Sequence, residues 1–311
     1  MMRDLDMPTE PQPKKQIIEI KDGKYSDGTL FDQIHYLECK LILKPDRFES
    51  AKGFQDYAAL VREAAAQSDV KVDASSAAGA RPVMREVAFL DTEDFRLYNN
   101  AFILRRRVSY EDYFPVGDPE IVFKYRHPEV QSAVALDVRP TIAGDYRIKF
   151  KVEALPLKDQ VGSYRTLFSH NTQFGQSQMP EGDRTSMSFL AQLFPALQQL
   201  QTSPDDRVEL VNQTVVEELL QELGVLDFGR GVSAKCNVAL WRTRAEHEPL
   251  CAEFAYQAKF KRRDELGEKA LDRCKRFFLT LQQIGRDWLA LGTTKTGIVY
   301  RLKGNPPQAH E

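Results

Sequence analysis

The chain has 311 residues, 28% of them charged and 42% hydrophobic, with a formal net charge of −2. That length can bury a substantial core, as one large domain or two small ones. The near-zero balance excludes a global field drawing the protein to nucleic acid or to an anionic membrane. No apolar run reaches the roughly 20 residues that a spanning helix needs.

The first residues, MMRDLDMPTEPQPKK, are polar and proline-rich and lack the apolar centre of a secretory signal. They read as a disordered tail over 1–30, ahead of a folded domain over 31–303 and a short tail over 304–311. Cys39, Cys236, Cys251 and Cys274 show no CxxC spacing. They read as buried free thiols, and a cytoplasmic location follows.

In chain order, IHYLECKLIL alternates as a strand, with Tyr36, Glu38 and Lys40 on one face and Leu37, Cys39 and Leu41 on the other. Residues 49–67 carry Phe54, Ala58, Val61 and Ala65 on one helical stripe. Residues 69–82 are rich in small residues and read as a loop. Strand-like runs follow at REVAFLDT, NAFILRRRVSY, PEIVFKYRHPE, SAVALDVRP and YRIKFKVEAL, separated by turn residues. Residues 156–182 are irregular. Helices are expected at TSMSFLAQLFPALQQL and VELVNQTVVEELLQELG, the second starting after Asp205-Asp206. SAKCNVALWRTR and LCAEFAYQAKF read as strands, 264–291 as a long helix, and KTGIVYRL as a last strand.

The strands carry their charge in an unusual place. Glu38 with Lys40, Arg105 with Arg107, Lys124 with Arg126, and Lys149 with Lys151 and Glu153 each recur at i, i+2. Arg242 with Arg244 does the same, and Glu253, Gln257 and Lys259 share one phase. Each set therefore points to one side of its strand. Arg106 is in the opposite phase. Two readings fit. In an open sheet these are solvated faces exchanging salt bridges. In a closed barrel they line a lumen, where so many cations need a polyanion or carboxylates to neutralise them. A triphosphate suits such a space, because Arg forks match phosphate oxygens and Lys supplies point charge.

Several segments resemble the CYTH superfamily, the triphosphate tunnel metalloenzymes. YLECK stands where that family has ExExK, and FLDTEDFRLYNNAFILRRR resembles its most specific segment. IVFKYR, KCNVALWRTR, AEFAYQAKF and the closing FLTLQQIGRDWLALGTTKTGIVYRL resemble later pieces, so the likeness covers roughly residues 33–302. It implies an α+β fold, an antiparallel eight-stranded β-barrel with helices outside, here with a helical insertion at about 156–208. It also implies a triphosphate-containing small molecule or polyphosphate as ligand. Lys40, Arg105, Arg107, Lys124, Arg126, Lys151, Lys235 and Lys295 would bind phosphate oxygens. Glu38, Glu153 and Glu253 would hold Mg2+ or Mn2+, with Glu38 and Lys40 in the catalytic role of a triphosphatase.

Two departures stand out. Tyr36 replaces the first glutamate of ExExK, and Ala255 stands where a second carboxylate is expected after Glu253. The basic set is retained while the metal site is depleted. Three functions therefore remain: a metal-dependent triphosphatase, a polyanion- or nucleotide-binding module without turnover, and an adenylate cyclase, which lacks any sign of a base pocket. Asp91 reads as organising the turn after it. The insertion's apolar residues, Phe189, Leu193 and Leu197 with Val215, Leu219 and Leu223, suit a homodimer contact or packing within the chain.

Overall fold

The structure, a computed structural model, describes residues 20–304 and 306. β1 (Tyr36–Leu43) alternates as its sequence requires: Cys39, Leu41 and Leu43 are buried under helices, and Glu38 and Lys40 face the other way. α1 (Ala51–Gln67) buries Tyr57, Val61, Ala64 and Ala65, a helical stripe, against that apolar face. Beside α1 lies α5 (Glu268–Ile284), whose Ala270, Cys274, Phe277, Phe278 and Leu281 join the same core.

The remaining main strands are β3 (Val83–Asp91), β4 (Phe102–Glu111), β5 (Phe114–His127), β6 (Arg147–Pro156), β7 (Tyr164–Gly175), β8 (Glu209–Asp227), β9 (Ser233–Thr243) and β10 (Pro249–Lys259). They pair in the order β8–β3–β4–β5–β7–β6–β1–β10–β9, and β9 pairs back onto β8. Among the described residues, nine strands thus close a barrel, with the short β2 (Lys71–Asp73) attached to the end of β8. The expected barrel had eight strands, all antiparallel. Directions around a closed ring cannot alternate when the strand number is odd, so at least one pair must be parallel. That pair is β1–β6, with Glu38 opposite Glu153.

Several expected elements take another form. The segment read as a helix at 208–224 is β8. Its Val215, Leu219 and Leu223 have helical spacing, but β3 and β9 each present an edge that only a strand can satisfy, and pairing overrides the local pattern. Asn212 and Gln213 adopt φ of 52° and 53° at a bulge that shifts its register with β3. The residues read as a helical insertion at 156–208 include barrel strand β7. Only α4 (Met187–Leu193) and short 3-10 turns cover the outside there. Leu193 and Leu197 pack with Phe102, Phe123 and Phe174 of the barrel's outer face, so packing within the chain accounts for them.

SAVALDVRP, read as a strand, begins instead as α3 (Val130–Ala135), whose Ala133 and Val134 cover Phe150, Val152 and Phe168. The helix read over 264–291 ends at Ile284, before Gly285. The tail read over 1–30 is folded from residue 20: Tyr25 is buried and meets Phe31 edge-on. Residues 1–19 and most of 304–311 lie outside the described residues.

KTGIVYRL, read as a last strand, forms α6 (Lys295–Tyr300), capped by the Thr294 hydroxyl, which accepts from the Gly297 N–H. The closed ring leaves this segment no strand edge, the projecting end of β8 being taken by β2, and it plugs one end. Val299 and Tyr300 pack with Ile42, Val87, Phe89, Ile103, Val216 and Trp241, all from the inward faces of strands. The Tyr300 hydroxyl donates to Asp91 at 3.0 Å, and its ring stacks on Tyr98 at 4.1 Å. No helix among the described residues is long and apolar enough to cross a membrane. Tyr300→Ala should cost about 3–5 kcal/mol, read as a lower midpoint in denaturant unfolding. Tyr300→Phe, which keeps the stacking, should cost clearly less.

Candidate functional site: a charged lumen

The plug divides the inward faces into a floor and a mouth. Along β1, Tyr36 is half-buried near the open end, Glu38 and Lys40 follow, and Ile42 belongs to the floor. β10 runs the opposite way, from exposed Lys259 through Gln257 and Ala255 to buried Glu253. β5 contributes Glu120, Lys124 and Arg126, β6 contributes Lys149, Lys151 and Glu153, and β4 contributes Arg105 and Arg107.

Glu153 is the centre of one side. Fully buried, it pairs with Lys40 at 3.0 Å, Lys124 at 2.9 Å and Arg126 at 3.4 Å. Burial opposes its charge, but Lys124, Lys40, Arg126 and Lys151 together outweigh burial and hold the carboxyl well below the usual range. Glu38, beside it on β1, bonds Lys40 at 2.8 Å and Lys151 at 3.2 Å. Its pKa falls to about 2 because Lys151 and Lys40 outweigh its burial. Lys40, between two carboxylates, is pushed up despite burial, chiefly by Glu153 and Glu38. Lys124 is pulled well down by burial and then by Arg126.

On the opposite side, Glu218 of β8 pairs with Arg85 of β3 at 2.6 Å and accepts from the Trp241 indole N–H at 2.8 Å. Lys295, the first residue of α6, bridges Glu218 at 3.4 Å and Glu253 at 2.7 Å, its ammonium 4.6 Å from the centre of the Trp241 ring. Arg107 pairs with Glu120. Arg105 and Lys149 have no ion pair among the described residues, and the buried Arg105 Nε has no hydrogen-bond partner. Burial and the neighbouring Arg107 pull Arg105 down to about 10. Burial and Lys151 pull Lys149 down to about 8. For both groups burial acts first and a neighbouring cation adds to it, so each has like charge close by.

The residues expected to bind phosphate thus largely converge. Lys40, Lys124, Arg126 and Lys151 meet around Glu153 and Glu38, while Arg105, Arg107 and Lys295 share the space around Glu218 and Glu120. Lys235 lies apart: it is exposed near the mouth, in register with Gln257. Arg242 and Arg244, grouped by spacing with the inward set, lie in the opposite phase and pair with Glu217 and Glu86. Arg106 also points away, donating to Gln176 at 2.6 Å. Asp91 accepts from the Thr92, Leu97 and Tyr98 N–H groups and so fixes the turn after it, and burial raises its pKa to about 6.

Glu38, Glu153 and Glu253, the expected metal ligands, do not form one site. Glu38 and Glu153 are side by side, but Glu253 lies further along, opposite Ile42, and bonds Lys295. Among the described residues, no three or more His, Cys, Asp or Glu gather to hold an ion. With lysine ammonium groups between the carboxylates, the residues as placed do not fit Mg2+ or Mn2+.

Arg85, Glu120 and Glu218 belong to the site without having been singled out in the sequence. Glu120 was legible two residues before Val122 in the phase of Lys124. Glu218 was hidden because a helix at 208–224 would have turned it to solvent. All four cysteines are buried and unpaired.

No family model and no curated protein matches the chain. Solved structures that resemble it include a candidate adenylyl cyclase from Hippeastrum with a dominant triphosphatase activity, 11% identical, covering 89% of this chain and 100% of that one with a TM-score of 0.39. A candidate adenylate cyclase from Bacillus halodurans is 10% identical over 85% of this chain and 95% of its own, with a TM-score of 0.36. A protein from Pyrococcus horikoshii is 12% identical over 84% and 96%, with a TM-score of 0.32. Likenesses at this level carry no argument about what this chain does.

The depressed carboxyls set the acid stability. The unfolded chain binds protons at Glu38, Glu153 and Glu218 before the folded one does, so stability present above about 4.5 is lost as pH falls toward about 2. Urea midpoints should fall steadily across that window; a flat profile would contradict the buried pairing. Glu153→Ala, which leaves its partners uncompensated, should cost about 3–5 kcal/mol.

Proposed function

We propose that the lumen binds the free end of a triphosphate or a longer polyphosphate chain. The single observation that carries this reading is that Arg105 and Lys149 have no ion pair among the described residues while each lies beside another cation, Arg107 and Lys151 respectively. Leaving half-buried cations without partners costs stability, and a ligand that supplies the missing negative charge recovers it. Arg105 and Arg107 can grip phosphate oxygens through forked N–H groups, and the lysines add point charge. The resemblance of YLECK and of residues 89–107 to the triphosphate-tunnel family supports the same ligand class.

The plug favours entry by a chain end. Phe89, Trp241, Val299 and Tyr300 close the floor, so an anion enters past Tyr36, Lys151 and Lys259. Binding without turnover fits this chemistry best. Tyr36 and Ala255 stand where the resembling family carries further carboxylates, and Glu38 and Glu153 are occupied by lysine and arginine partners. Phosphate release from inorganic triphosphate, with and without Mg2+ or Mn2+, tests the alternative of a triphosphatase.

Isothermal titration with inorganic triphosphate should detect salt-sensitive binding. Arg105→Ala should weaken it at least tenfold, about 1.4 kcal/mol, while leaving thermal stability unchanged or higher, because the lost cation has no partner to orphan. Failure of the wild-type protein to bind triphosphate would refute the reading. Binding should also draw a proton onto Lys149. Its pKa of about 8 rises when an anion arrives, so uptake appears near pH 8 and vanishes near pH 6, where the group is already charged. Titration enthalpies should therefore depend on the buffer at the higher pH only.

A further inference from the structure

We infer that Lys40 and Lys295 occupy the positions between carboxylates that a divalent cation would take, so that the lumen holds its anion without a metal. The inference rests on the lumen being an anion site, as proposed above.

Two pairs of carboxylates approach each other inside the barrel, and each pair has one ammonium between its members. Lys40 Nζ lies 2.8 Å from Glu38 Oε2 and 3.0 Å from Glu153 Oε1. The two glutamates come from adjacent strands, one directly opposite the other. Lys295 Nζ lies 2.7 Å from Glu253 Oε1 and 3.4 Å from Glu218 Oε1, bridging β10 and β8. Neighbouring carboxylates in a space of low dielectric repel unless a cation separates them. Here the cation belongs to the chain.

Neither ammonium can step aside easily. Lys295 begins α6, whose cap and Tyr300 contact fix that helix, and its charge rests over the Trp241 ring. Lys40 sits between its two carboxylates with Lys124 and Arg126 sharing Glu153 beside it. A divalent ion would also have to enter against Lys124, Arg126 and Lys151, and Mg2+ surrenders its water reluctantly. The arrangement resembles a metal bridge in connectivity, with the single charge of a lysine where a divalent ion would bring two.

The test uses the full-length protein. Inorganic triphosphate should bind by isothermal titration in EDTA, with no tenfold gain when Mg2+ is added in excess. Binding that appears only with Mg2+ would overturn the inference while leaving the anion site intact. No binding in either condition would overturn both. Mn2+ alone, followed by its electron paramagnetic resonance signal, should stay free beside the wild-type protein at micromolar concentration. Lys40→Met and Lys295→Met keep the aliphatic stem and remove the charge, and each should create a Mn2+ site. Wild-type protein that takes up Mn2+ and loses it on Glu153→Gln would overturn the inference, as would folded methionine variants that bind none. Should both variants unfold, the wild-type Mn2+ titration decides alone.

Discussion

One carboxylate holds the charged interior together. Glu153, without solvent contact, forms ion pairs with Lys40, Lys124 and Arg126, which arrive on β1 and β5 while Glu153 itself sits on β6. Three buried cations within reach of one another repel, and removing each from water costs several kcal/mol in the absence of a partner. Their convergence is tolerable because Glu153 lies between them, and it lies there because β6 runs parallel to β1, which sets Glu38 and Glu153 side by side. The parallel pair follows in turn from closing a ring with an odd number of strands.

The same closure separates packing from chemistry. Outward residues of β1, β9 and β10 pack under α1 and α5, and those of β4, β5 and β7 under α4 and its neighbours. Stability can therefore come from the outer apolar layer, leaving the lumen to carry charge at some cost. At the floor the lumen becomes apolar, and Asp91, Tyr98 and Tyr300 fasten α6 across it. Lys295 rides on that plug, so the element that closes the barrel also delivers a cation to it. A groove of about 620 Å³ beside α1, lined by Phe48, Phe54, Leu219 and Leu223, is a separate feature outside the barrel.

The inward phase of the charges was legible in the sequence wherever a strand was legible. Period-two alternation placed Glu38 with Lys40, Arg105 with Arg107, and Lys149 with Lys151 and Glu153 on single faces, and the barrel brings those faces together. Alternation alone does not tell which face of β9 turns inward, so spacing groups Arg242 and Arg244 with residues they do not join. Residues 208–224 and 295–302 depart from their expected forms for a common reason. Their local patterns suit either state, and the outcome depends on edges supplied by distant strands: β3 and β9 demand a partner from 209–227, and no edge remains for 295–302. Pairing between carboxylate and ammonium was equally beyond reach. It depends on which strands become neighbours, and that decided that Glu253 meets Lys295 rather than Glu38.

The most direct measurement is a crystal structure of the protein grown with inorganic triphosphate. Phosphate oxygens should lie within hydrogen-bond distance of both the Arg105 guanidinium and the Lys149 ammonium, with the chain end directed toward the floor. An anion held on the outer face, at Arg242 and Arg244, with Arg105 and Lys149 still unpaired inside, would contradict the account.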